Sequence, residues 1–304
     1  MAEQAQQFDN RLYITGRVGI PPWLLAKKSK PFVFTGALNG LVAAASQPVT
    51  IQIHDDAYFL VEEIQILSSD LTVTQDQSTV QITDNSQSQS WSNIPIPLRD
   101  LAGHGWAPKY LSDPNILRPT SSITLQITNN SAGTLSYSVA LVGRKIYGVT
   151  ADEANIVTRR MWYQYGLSVP SLAGSALNQQ FNLNIYNESD FLLKKLISQQ
   201  LIDGVLAATG GAINQEVMIQ LRDTTNDTYL FSDFCAARLV FGMYQGGQTA
   251  TGASWGTGQP FCLKKPWLLR RNGVFQVTLN NNATSAYANG FILVFEGIRI
   301  FDAR

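Results

Sequence analysis

A stretch that occurs twice constrains this chain more than any other feature. Thr50-Ile51-Gln52-Ile53-His54-Asp55-Asp56-Ala57-Tyr58-Phe59-Leu60-Val61-Glu62-Glu63-Ile64 returns in degenerate form as Asn182-Leu183-Asn184-Ile185-Tyr186-Asn187-Glu188-Ser189-Asp190-Phe191-Leu192-Leu193-Lys194-Lys195-Leu196. At an offset of 132, Ile51 meets Leu183, Phe59 meets Phe191 and Ile64 meets Leu196. The rest of the unit follows in the same order. Pro114–Arg118 matches Pro266–Arg270, and Ile123, Leu125 and Ile127 fall on Phe275, Val277 and Leu279, at an offset of 152. Asn129-Asn130 falls on Asn281-Asn282 at that same offset, and Val139, Leu141, Gly143, Ile146 and Tyr147 fall on Leu293, Phe295, Gly297, Ile300 and Phe301 at an offset of 154. The growing offset assigns 22 extra residues to the loops of the second copy. Two copies are too few for a stacked solenoid, so the pattern predicts two similar domains in tandem.

Each copy has β texture. Ile51/Ile53, Leu71/Val73, Val80/Ile82, Ile123/Leu125/Ile127 and Leu135/Tyr137/Val139/Leu141 alternate at period 2, as strands with one buried face do. Turn-rich stretches separate them (Asp84–Ser88, Gly103-His104-Gly105, Asn129–Gly133), and short strands at this spacing indicate a sandwich or barrel. Amphipathic crossover helices, which a parallel sheet requires, are missing. The expected fold is all-β: two tandem antiparallel β-sandwiches related by internal duplication. An N-terminal arm is expected over residues 1–30, a first sandwich over 31–148, a linker over 149–165 and a second sandwich over 166–304. Within the linker, Thr150-Ala151-Asp152-Glu153 is a capping-box pattern and predicts a short helix over roughly 152–162. The arm, with Pro21-Pro22, is read as extended and lying on its own domain or on a neighbour.

Charged residues make up only 14% of the 304, against about 25% in an average domain, and 22 basic residues balance 22 acidic ones. That balance argues against nucleic-acid binding, which relies on a basic excess. So little surface charge protects poorly against self-association. Either neighbours cover much of the surface, or it is simply rich in Asn, Gln, Ser and Thr. Cys235 and Cys262 lie in apolar surroundings and are expected to be buried thiols. The first residues lack the pattern of a signal peptide, and no apolar run reaches a membrane span, so a cytoplasmically made chain free of membrane segments is expected.

Catalytic arrangements are hard to assemble. His54 and His104 are the only histidines, and no Gly-x-Ser-x-Gly elbow, His-Glu-x-x-His pair or Walker-type loop occurs. His54-Asp55-Asp56 and Asn187-Glu188-Ser189-Asp190 occupy the same turn in the two copies; their oxygens suit Ca²⁺ in principle, yet Asp and Asn are ordinary turn formers. The glycine-rich loops 207–211 and 246–252 follow no strand-to-helix pattern that would cradle a phosphate, and the Asn-x-Ser/Thr triplets at Asn129, Asn187, Asn226 and Asn282 carry little without a secretion signal. Trp91, Trp106, Trp255 and Trp267 lie in or next to the variable loops, where they either stack on sugars, anchor an interface or cover the sandwich ends. No catalytic, cofactor-binding or metal-ligating residue is assigned, and the chain is expected not to be an enzyme.

The Asp/Asn turn before Phe59 and Phe191, the Pro-Ile-Pro-Leu and Leu-Ser-Asp-Pro-Asn-Ile-Leu segments, and the closing strands Val142–Tyr147 and Phe295–Phe301 together resemble a bacteriophage virion structural protein. Two tandem domains of this size are similar to double jelly-roll capsid proteins of tailless icosahedral viruses. The resemblance implies jelly-roll-like sandwiches standing side by side in a self-assembling virion subunit. It also implies homo-oligomers, a trimer or ring, and contacts with other virion proteins. A decoration, neck or collar protein of a tailed phage, and a glycan- or receptor-binding sandwich, remain alternatives. A jelly roll needs eight strands per copy, and the pattern places only six or seven.

Overall fold

The computed structural model describes residues 22–69, 78–102, 109–198, 217–241, 247–248, 254–255, 261–284, 286 and 290–302. The first sandwich contains β1 (Ser29–Leu41), β2 (Ser46–Gln52), β3 (Tyr58–Ser68), β4 (Ser78–Asp84), β5 (Gln89–Ser90), β6 (Ile96–Pro97), β7 (Tyr110–Leu117), β8 (Ser122–Asn129) and β9 (Leu135–Ile146). Three helical segments accompany it: α1 (Pro22–Leu25), α2 (Leu98–Leu101) and α3 (Ala151–Thr158). The second contains β10 (Arg160–Val169), β11 (Gln179–Asn184), β12 (Ser189–Ile197), β13 (Val217–Asp223), β14 (Thr228–Tyr229), β15 (Cys235–Ala236), α4 (Ala237–Val240), β18 (Phe261–Leu269), β19 (Val274–Asn281) and β20 (Phe291–Phe301). A small hairpin, β16 (Gly247–Gln248) with β17 (Ser254–Trp255), belongs to the extra residues of the second copy.

Strand order is the same in both copies. The sheets run β1-β9-β3-β7 and β2-β8-β4-β5 in the first, and β10-β20-β12-β18 and β11-β19-β13-β14 in the second. Every pairing within these sheets is antiparallel. Counting β5 with β6, and β14 with β15, as one interrupted strand gives each copy the eight strands of a jelly roll. The interrupted strand is the one that periodicity misses, because two-residue pieces carry no alternation. Inner faces supply the core: Phe34, Phe59 and Leu141 from one sheet meet Ile51, Ile82 and Leu125 from the other, and one cluster continues into the second sandwich.

Several local devices are repeated along with the strands. A bulge shifts the register of β3 between Val61 and Glu63, and the matching bulge in β12 lies between Leu193 and Lys195. It pushes backbone toward Gly143 and Gly297, where an added Cβ would overlap the carbonyl oxygens of Leu60 and Leu192. Only glycine fits such an approach. Asn129 and Asn281, both fully buried, tie their turns by donating to Leu41 O and Ala173 O at 3.0 and 2.9 Å.

The linker helix forms as the capping box predicts: Glu153 N donates to Thr150 Oγ1 (3.2 Å), and Thr150 N donates to the Glu153 carboxylate (2.8 Å). It ends at Thr158 rather than near 162, because residues from Arg160 onward pair with β20 as the first strand of the second sandwich. Lys27 reaches across to Glu153 at 2.9 Å. Leu24 of α1 sinks into a patch of Leu60, Ile116, Ile146 and Val157, so this part of the arm lies on its own domain. Residues 1–21 lie outside the described residues.

The expectation of two buried thiols is corrected. Cys235 is half-buried and Cys262 is exposed, because β18 is an edge strand that leaves residue 262 facing outward.

Candidate functional site

Burial along the strands points to the most unusual region. β8 and β4 alternate buried and half-buried residues, as expected for one covered face. In β10 and β20 burial is nearly continuous, although both are sandwich strands like β1 and β9. Something covers their outer faces as well. The cover is the first sandwich.

β10 is an edge strand, and its free edge is closed by side chains and backbone of the other copy. Trp162 N donates to Asn115 Oδ1 (2.8 Å), and Asn115 Nδ2 donates to Trp162 O (3.4 Å). Two residues on, Gln164 N donates to Trp91 O (3.0 Å) in a parallel bridge between Ser92 and Gln164. Two further on, Gly166 N donates to Asn93 Oδ1 (2.6 Å), and Asn93 Nδ2 donates to Gly166 O (2.9 Å). The period of 2 follows from the strand, since alternate residues point their amides away from β20. Two asparagines thus act as fragments of a neighbouring strand. Gly166 is glycine because a Cβ there would press on Ile94 and Ile96 at 2.6–2.8 Å.

Beside this edge lies a buried ionic cluster. Glu296 and Lys109 are both fully buried and 3.2 Å apart, and Lys195 lies 3.0 Å from the other carboxylate oxygen. Gln164 Nε2 donates to Glu296 (3.2 Å) and to Asp100 O (2.8 Å). Lys109 also donates to Asp100 O and sits 5.5 Å from the Trp162 ring centroid. Lys109 and Asp100 come from the first sandwich, and Glu296, Lys195 and Gln164 from the second. Further out, Arg160 pairs with Asp113 at 3.4 Å, and Lys194 Nζ donates to Ser112 O at 3.4 Å.

Two opposing effects set the charges here. Burial pushes the Lys109 ammonium down to about 8, against the pull of Glu296, and burial likewise lowers Lys194 to about 8 against Asp113. For Glu296, burial alone would raise the pKa, but Lys195, Lys109 and the Trp162 indole overcome it and hold the carboxyl well below its usual range. Around neutrality the carboxylate is therefore charged and compensated. Within the cluster, cations from both sandwiches meet one carboxylate of the second. The contact fixes how two domains sit.

The acid-rich turns engage basic side chains of their own copy. Asp56 accepts both contacts from Lys145 (2.7 and 2.9 Å), His54 Nδ1 is 3.0 Å from the same nitrogen, and the ammonium lies 4.3 Å from the Phe32 ring. In the second copy Arg299 meets Glu188 (2.9 Å) and Ser189 (2.8 Å) among the rings of Tyr163, Tyr186 and Phe301. These are the same positions at the offsets of the repeat, so the aromatic–cation–acid arrangement is part of the duplicated unit. Asp190 binds Arg270 and Arg271 at 3.1 and 3.4 Å. Trp91 is not a loop aromatic but core, 2% exposed and edge-on to Trp162 at 6.2 Å. Its amide pairs with Ile82 O, which tucks the indole beneath the sheet. Trp267 packs on Phe275 at 5.4 Å. His104, Trp106, the loop 207–211 and most of 246–252 lie outside the described residues, as does the side chain of Trp255.

The seam was invisible in the sequence. Its one available signal is a mismatch between copies: Val142, Val33 and Glu63 stand where the second copy has Glu296, Gln164 and Lys195.

No protein-family model and no curated protein matches this chain. Among solved structures it is similar to a chain of Sulfolobus Turreted Icosahedral Virus at 12% identity, covering 88% of this chain and 91% of that one, with a TM-score of 0.46. It is also similar to the major capsid protein P2 from Bacteriophage PM2, at 8% identity over 90% and 99% of the two chains, with a TM-score of 0.46. A third is PBCV-1 VP54, fitted into a reconstruction of the virophage Sputnik, at 9% identity over 91% and 95%, with a TM-score of 0.40.

Proposed function

We propose that this protein is a non-enzymatic, self-assembling subunit of a viral capsid, with a bacteriophage as the virus. The observation that carries this reading is the seam. Two jelly rolls of one strand order are joined head to tail, the edge of one closed by the other and a full ionic cluster buried between them. A chain that fixes two similar units at a set angle presents similar surfaces in sequence, which suits a symmetric shell. Low surface charge and the sequence resemblance point the same way. Of the four tryptophans behind the glycan-binding alternative, Trp91 is core and Trp267 is packed against Phe275, so that reading rests on Trp106 and Trp255. Light scattering on the purified protein over a concentration series, followed by electron microscopy, tests the proposal. Rings, sheets or trimers of the 33.4 kDa chain are expected. A monomer at every concentration would overturn it.

A further inference from the structure

Three side chains of the buried cluster form a set that an ionic contact alone does not call for. Lys109 Nζ and Gln164 Nε2 bind the same two oxygens. One is Glu296 Oε2, at 3.2 Å from each; the other is the backbone oxygen of Asp100, to which Lys109 donates and Gln164 donates at 2.8 Å. Lys109, Gln164 and Glu296 are all fully buried. An amine and a carboxamide are therefore held together beside one carboxylate, out of water. Gln164 Oε1 accepts no hydrogen bond among the described residues, so the amide is anchored by its nitrogen alone. An optimised structural network would not leave that acceptor buried without a donor.

Each member is in the state that amide exchange requires. Burial lowers the Lys109 ammonium to about 8, so roughly a tenth of the chains carry the nucleophilic neutral amine at pH 7. The charged groups that face Lys109 are Glu296 of β20, Lys195 of β12 and Asp100 of α2. Glu296 stays ionised when Lys109 gives up its proton, because Lys195 holds its other oxygen at 3.0 Å. Fixed geometry replaces the encounter of two reactants, and exclusion of water removes hydrolysis as a competitor. The first sandwich has Val33 and Val142 in the places of Gln164 and Glu296, so the set belongs to the seam and not to the repeated unit.

We propose that Lys109 and Gln164 join in an isopeptide bond, with Glu296 as the proton carrier, so that a covalent link crosses the two sandwiches. The neutral Nζ attacks Gln164 Cδ, and the Glu296 carboxylate takes a proton from the attacking nitrogen and passes it to Nε2. The Nζ–Cδ bond forms, the Cδ–Nε2 bond breaks, and ammonia leaves. No oxidant, reductant or co-reactant takes part, and Glu296 ends as it began. Freshly folded chain carries the ion pair, which titrates as such until the bond has formed. The link closes a loop from residue 109 to residue 164, and it does not depend on the capsid reading.

The test is the intact mass of the full-length protein, denatured for mass spectrometry after incubation in the folded state. A loss of one ammonia is expected, and digestion should yield a branched peptide that carries both Lys109 and Gln164. Formation should follow the neutral amine, about ten times faster at pH 7 than at pH 6 and level above about pH 9. Lys109→Arg keeps the charge and Glu296→Gln removes the proton carrier; neither should give the branched peptide, with circular dichroism to verify folding. A purely electrostatic contact would leave every mass unchanged. The natural chain at its full mass after prolonged alkaline incubation overturns the proposal, whether or not the variants fold. Loss of water instead of ammonia would put the bond on a carboxylate and overturn the assignment to Gln164. The branched peptide from Glu296→Gln would overturn the part given to Glu296.

Discussion

Replacing Glu296 by Gln removes one negative charge from the seam with almost no change of shape. Lys109 and Lys195 then face each other with side-chain exposures of 0% and 16% and no carboxylate. Breaking a buried ion pair by removing one partner costs about 3–5 kcal/mol. Part of this is relieved because Lys109 already sits at about 8, one unit above neutrality. Without Glu296 it sheds its proton at pH 7, which limits its own share to about 1.4 kcal/mol. The lower end, about 3 kcal/mol, is therefore expected. With an unfolding entropy of about 2.1 cal/mol/K per residue over 304 residues, this lowers the melting temperature by about 5 °C in calorimetry. The deficit should also shrink between pH 7 and pH 9.5. Lys109 loses its proton in the natural protein as pH rises through about 8, whereas in the variant it is already neutral, so only the natural chain loses an ion pair over that range. A melting temperature within 1 °C of the natural protein at pH 7, or a gap that widens at pH 9.5, would refute the seam as a compensated ionic lock.

The acid limb provides a second check. A carboxyl held below its ordinary 4.5 in the folded chain binds its proton first in the unfolded one, so its stabilisation is present above that pH and fades as pH falls further. Urea midpoints should drop more steeply below about pH 4.5 in the natural protein than in Glu296→Gln; parallel slopes would contradict this. The repeated bulges can be tested by Gly143→Ala and Gly297→Ala, where the added methyl meets backbone oxygen and should cost about 2–3 kcal/mol or more in urea unfolding. Gly133→Ala, with nothing within 4 Å of the added atom, should remain within about 0.5 kcal/mol and serves as the control.

Alternation and repetition are properties of a sequence that survive without knowledge of the fold, and the elements they describe were legible. Ile123, Leu125 and Ile127 announce β8, the Thr150–Glu153 box announces α3, and the Gly143/Gly297 match is part of the repeat, although nothing in it told of the bulges that face those glycines. What escaped is what depends on contact between distant segments. β5 and β6 are too short for any period, so the eighth strand vanished. Trp91 sits between two serines and Cys262 between two apolar residues, yet the indole is core and the thiol exposed, because a cross-strand amide bond and a sheet edge decide their burial. Asn93 and Asn115 look like loop and turn residues, and nothing local says that each serves the backbone of β10.

The divergence between the copies has a physical logic at the seam. The first copy has Val33, Val142 and the buried Glu63 where the second has Gln164, Glu296 and Lys195. With Glu296 and Lys195 on the second sandwich, an apolar segment seated there would leave two charges buried and unpaired, a penalty of several kcal/mol. Conversely, Lys109 brought against the first sandwich would find valines in the places of Gln164 and Glu296, with the carboxylate of that row on the neighbouring strand at Glu63, where Gln65 donates to it. Each surface therefore rejects the other's partner, which is how specificity is built from repulsion as well as attraction. The polar contact suits the sandwiches that a linker already holds together, since tethering removes most of the association entropy and leaves alignment as the remaining requirement.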